Sequence, residues 1–80
     1  MHDDQVAEAF RAAMRLEKGF VLRDDMSFDH VPGWDSIGHM NLVLELEKRF
    51  ATVLDMDQIV AMDSVGAVRD VVARKQAGKS

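Results

Sequence analysis

Apolar residues recur early in the chain at Val6, Phe10, Ala13 and Met14, the i, i+4, i+7, i+8 spacing of one helical face. Asp3 or Asp4 can cap such a helix and Gly19 can stop it, so the spacing predicts a first helix over residues 3–19. From 20 to 35 the period disappears. This stretch holds the only proline, in Val31-Pro32-Gly33-Trp34, where Pro then Gly suits the two central positions of a type II turn. Loops of this length are uncommon in compact domains unless functional or packed down. Phe20, Leu22, Met26, Phe28, Val31 and Trp34 are available as anchors, so the loop is expected to lie on the core.

A second helix is predicted from Asp35 or Ser36, either of which can cap, to Phe50 or Ala51. At about 100° per residue, Leu42, Val43, Leu46 and Phe50 share one face while Ile37, Met40 and Leu44 share another, roughly opposite. One helix thus carries two apolar stripes. The Ile37, Met40, Leu44 stripe lies either under the long loop or open to a partner. Further on, Asp55 or Asp57 can open a short helical turn through Ile59 to Met62. Asp63 or Ser64 can cap a last helix with Val65, Val68 and Val72 on one face, and Lys75 to Ser80 is expected to fray. The expectation is an all-α four-helix bundle, three longer helices and one short, with a long loop between the first two, forming one domain over 1–80 with an ordered core over about 3–75.

Composition narrows the function. In 80 residues the core is small, and a deep active site built from several loops is not expected. There is no cysteine, which removes disulfide staples, thiolate zinc sites and any thiol of the protein's own, and favours a cytoplasmic location. The longest unbroken apolar run, Ile59 to Met62, is four residues, so no membrane span is expected. A net charge of −4 makes nucleic acid a poor partner. Asp24, Asp25, Asp29 and Asp35 fall in a stretch without a base, which would attract a basic protein surface.

The residues Gly33-Trp34-Asp35-Ser36-Ile37-Gly38-His39-Met40, followed by Asn41-Leu42-Val43-Leu44-Glu45-Leu46-Glu47-Lys48-Arg49-Phe50, resemble the Asp-Ser-Leu attachment motif and second helix of acyl carrier proteins. The resemblance extends to the preceding amphipathic helix, the long loop ending at the serine, and the turn leading into a last helix at Ser64-Val65. It implies a carrier with no catalysis of its own. In the family a 4'-phosphopantetheine is joined to the serine as a phosphodiester and supplies the thiol; carried over, this names Ser36, with Asp35 presenting it to a phosphopantetheinyl transferase. The partners implied are that transferase, an acyl- or aminoacyl-loading ligase, and pathway synthases or transferases. They would dock on Ile37, Met40 and Leu44, with Asp35, Glu47 and the loop acids as rim; a monomer is expected. Gly38, His39, Asn41 and Lys48 stand where many fatty-acid carriers are more acidic, and Arg69 stands where the family is often apolar. These departures point away from housekeeping fatty acid biosynthesis and toward a specialised polyketide, peptide, lipid or surface-sugar pathway.

Three other readings of the sequence stand beside this one. Asp35, Ser36 and His39 are the residue types of a hydrolase triad, but no orienting carboxylate or oxyanion hole is visible, and His39 falls on the side of Leu46 and Phe50, as a structural histidine would. Asp29, His30 and His39 have no diagnostic metal-ligand spacing. A helical interaction module without a prosthetic group, docking through Ile37, Met40 and Leu44, is the alternative. Were Ser36 the cap of the second helix, its removal would cost about 1 kcal/mol.

Overall fold

The structure, a computed structural model, describes residues 4–78. It contains four helices: α1 Gln5–Met14, α2 Ser36–Phe50, α3 Met56–Ala61 and α4 Val65–Ala77. The β pairing among the described residues is limited to an isolated antiparallel bridge between Ser27 and Ser64. Phe10, Leu42, Leu46, Met62, Val65 and Val68 are fully buried at the centre, each side chain contributing about 2 kcal/mol through removal from water.

Asp4 caps α1, its Oδ1 accepting the Ala7 N–H at 3.1 Å; the alternative cap, Asp3, lies outside the described residues. The helix stops at Met14, five residues before Gly19. Arg15 turns left-handed (φ 54°), and the N–H groups of Arg15 and Leu16 both reach the Arg11 carbonyl, which closes the C-terminus without a glycine. The reversal brings Leu16 and Phe20 against the core, and the Arg11 guanidinium donates to the Glu17 and Lys18 carbonyls.

The long loop lies on the core as expected. Val31 and Trp34 are buried, and Phe20, Leu22 and Met26 pack against the core. Phe28 is only half covered, its ring 4.6 Å from that of Trp34. The loop also completes α4: the N–H groups of Val65 and Gly66, which a helix start leaves unpaired, donate to the Met26 and Asp24 carbonyls at 2.9 Å each.

Asp55 caps α3 and forms a reciprocal capping box with Gln58, and Ser64 caps α4 by accepting the Ala67 N–H at 3.0 Å. Val65, Val68, Val71 and Val72 are the buried face of α4. The helix continues to Ala77 instead of fraying at Lys75. Gln76 donates to the Phe50 carbonyl, Arg74 pairs with Asp70, and the basic last turn suits the negative end of the helix dipole. Residues 79 and 80 lie outside the described range.

Arg69, which stands where acyl carrier proteins are often apolar, clamps three segments. Its Nη1 and Nη2 donate to Asp4 at 2.8 and 2.9 Å, and its Nε donates to Asp24 at 2.9 Å. The Arg69 hydrogen bonds, aided by the Ala7 N–H, hold the Asp4 carboxyl below its usual range against the opposing effect of partial burial. The same clamp occupies Asp24, and Arg23 lies 3.6 Å from Asp25, so two of the four loop acids are already paired.

Candidate functional site at the start of α2

The chain reaches α2 through the predicted turn. Gly33 has φ 83°, as the third residue of a type II turn requires, and the Trp34 N–H donates to the Val31 carbonyl at 3.2 Å. Asp35 follows in extended geometry and its Oδ1 accepts the Gly38 N–H at 2.8 Å. Asp35 is therefore the cap and Ser36 the first helical residue. This corrects the cost attached to a capping Ser36: the hydroxyl of Ser36 is exposed and makes no hydrogen bond among the described residues.

Gly38 explains why the cap falls at Asp35. A Cβ at position 38 would collide with the Gly33 carbonyl oxygen, so the first turn of α2 sits directly on the turn that precedes it. The sequence pattern marked Gly38 only as a place where an acid was missing. Its real signal was its pairing with Gly33 across five residues.

His39 is half buried and its ring is held at both nitrogens. Trp34 Nε1 can only donate, and it donates to Nδ1 at 2.8 Å; Nε2 therefore carries the proton and donates to the Ile59 carbonyl at 2.9 Å. The ring is a bridge between the loop, α2 and α3, as a structural histidine would be, and neither nitrogen is directed at Ser36. The triad reading fails on this geometry. Trp34 completes the support, packing edge-to-face on Phe10 with ring centroids 4.9 Å apart.

An open pocket of about 540 Å³ adjoins the serine, lined by Phe28, Trp34, Asp35, Ser36, His39 and Met40. Its floor is mostly apolar and its rim carries the Asp35 carboxylate and the Ser36 hydroxyl. The second apolar stripe of α2 faces outward: Ile37 is 75% exposed, Met40 50% and Leu44 61%, so the loop does not cover it. Glu47 has a structural task, its Oε2 accepting the Leu54 N–H at 2.9 Å where the chain turns toward α3. Asp29, His30 and His39 are not assembled into a site. His30 Nδ1 accepts the Ser27 N–H, and among the described residues no group of three or more His, Asp or Glu side chains is placed to hold a metal.

No family model and no curated protein sequence matches the chain. A solved structure does: the solution NMR structure of a holo acyl carrier protein from Geobacter metallireducens superposes with a TM-score of 0.84 at 29% identity, over 95% of this chain and 86% of that one. The four helices and the loop between the first two thus form an acyl-carrier-protein fold. Among the described residues no helix is long and apolar enough to cross a membrane.

Proposed function

We propose that this chain is an acyl carrier whose Ser36 accepts a 4'-phosphopantetheine. The observation that carries the reading is the cap. Asp35 satisfies the first turn of α2, which leaves the Ser36 hydroxyl exposed, without a hydrogen bond among the described residues, and beside a pocket at a helix end that favours an anion. The likeness to a holo acyl carrier protein supports the same assignment. The residues present fit the group: Ser36 would hold its phosphate, and the arm would supply the thiol that a chain without cysteine lacks, to carry acyl groups as thioesters.

The protein is a carrier and not an enzyme, so its residues serve presentation. Asp35 fixes the backbone on which the serine stands. Ile37, Met40 and Leu44 form the apolar centre on which a transferase and acyl-handling enzymes dock, and Asp35, Asp29 and Glu47 form its acidic rim. The placement of Gly38 and His39 within the fold, where more acidic carriers would spread charge, supports a specialised pathway over general fatty acid synthesis.

Incubation with coenzyme A and a broad-range phosphopantetheinyl transferase tests the assignment by intact mass. One phosphopantetheine is expected on the wild type and none on Ser36→Ala. An unmodified wild type, with the fold intact, would favour the interaction module without a prosthetic group.

A further inference from the structure

Whether cargo on such an arm enters the helices or stays outside is decided at the edge of α2 nearest Ser36. One helical turn from Ser36, His39 faces α3 and donates to the Ile59 carbonyl. That carbonyl lies in the last turn of α3 and already accepts the Met62 N–H at 3.3 Å, so His39 adds a second hydrogen bond there and joins the end of α3 to α2. Trp34 adds the third link by donating to the other ring nitrogen. The chain Trp34–His39–Ile59 thereby stitches loop, α2 and α3 together across the seam that leads inward from Ser36.

What lies behind the seam is filled. Leu42, Leu46 and Met62 are fully buried, and Trp34 is 3% exposed. Yet α3 itself fully buries none of its six residues, which makes it the element most easily lifted, and its hold on α2 beside Ser36 runs through His39. In front of the seam the open pocket offers Phe28, Met40 and the half-buried His39, whose ring lies at 23° to that of the buried Trp34 with centroids 6.0 Å apart.

We propose that the Trp34–His39–Ile59 chain is a latch that keeps the helix interior closed to the cargo, and that the arm on Ser36 lies outside, its branched apolar segment seated against Phe28 and Met40. The inference rests on Ser36 as attachment point. It makes Trp34 and His39 determinants of cargo class: an alkyl chain left outside keeps its surface in water, so the carrier suits short or polar acyl groups over long alkyl ones. A displaced latch would leave an indole N–H and a half-buried imidazole to find new partners, which opposes spontaneous entry.

The test compares holo and octanoyl forms of the wild type, His39→Ala and Trp34→Phe, each made with coenzyme A or octanoyl-coenzyme A and checked by intact mass and circular dichroism. Trp34→Phe keeps an aromatic ring while removing the donor and part of the buried indole, and it serves if His39→Ala folds poorly. The wild type is expected to melt at the same temperature in both forms, within about 1 °C, while the octanoyl chain raises the melting temperature of the latch variants by about 4 °C or more. A purely structural His39 would lower both forms equally and leave no difference. Emission from Trp34, the only tryptophan, is expected to shift between the unmodified and holo wild type and to change no further with octanoyl. Octanoyl stabilisation of the wild type, latch variants that gain none, or unchanged emission on arm attachment would each overturn the proposal. Failure to load Ser36 at all would remove the site reading beneath it, which intact mass distinguishes.

Discussion

Asp35-Ser36-Ile37-Gly38 and Asp63-Ser64-Val65-Gly66 share nearly one pattern, and each opens a helix, yet the helices begin one residue apart. In α2 the aspartate caps, the serine is the first helical residue and the next side chain, Ile37, is 75% exposed. In α4 the serine caps with its own hydroxyl, and Val65 is fully buried. The shift comes from the loop. Ser64 is held extended by its bridge to Ser27, with the next two N–H groups bonded to Met26 and Asp24, so it cannot enter the helix. Asp35 is held outside α2 by the turn at Gly33, on which Gly38 rests. Whether a serine hydroxyl is structural or available for chemistry is thus set by contacts from a segment distant from the pattern itself.

The two glycines offer the largest effect. Gly38→Ala is expected to destabilise by about 3 kcal/mol, because the added methyl meets the Gly33 backbone, whereas Gly66→Ala, whose methyl would stand 3.0 Å from the Asp24 carbonyl oxygen, should cost about 1 kcal/mol. Urea denaturation of both variants measures the ratio; equal losses would mean that the two starts are built alike.

The caps come next, and they separate stability from modification. Asp35→Ala and Ser64→Ala should each lose about 1 kcal/mol, whereas Ser36→Ala should stay within about 0.5 kcal/mol of the wild type. Thermal melts decide it. A Ser36→Ala variant that loses as much as Ser64→Ala would show that the Ser36 hydroxyl contributes to the cap after all.

Much of this was legible along the chain. The spacing of Val6, Phe10, Leu42, Leu46, Val65 and Val68 marks the buried faces because a helix must bury one stripe, and Pro32-Gly33 marks the turn because only those dihedrals suit the pair. The end of α1 was not legible, since Arg15 takes a left-handed conformation that local preference disfavours and that the docking of Leu16 repays. Nor was the cap register of α2, because both candidates are good caps and the choice depends on a glycine five residues from its contact. The outward stripe of Ile37, Met40 and Leu44 could be seen as surplus, but its exposure depends on where the loop lies. His39 was readable as structural, although its partners Trp34 and Ile59 lie 5 and 20 residues away.

The smallest expected effect concerns the strap that holds the loop where it sets the α4 register. The Asp4 carboxyl is held below its ordinary value near 3.8, first by Arg69. A depressed folded value adds stability that is complete above the ordinary value and lost as pH falls through the lower, folded one. Arg69→Leu should therefore flatten the acid-side loss of stability below about pH 4, modestly, because both partners are partly exposed. Melts taken at stepped pH check the slope; an unchanged slope would remove the clamp from the account.

Locating the phosphopantetheine on the modified wild-type chain shows whether cap register singles out one of the two similar Asp-Ser pairs. Trypsin separates the two serines, Ser36 into the peptide 24–48 and Ser64 into the peptide 50–69, and fragmentation of the first tells Ser36 from Ser27. The whole adduct is expected on Ser36. An adduct on Ser64 or Ser27 would contradict it.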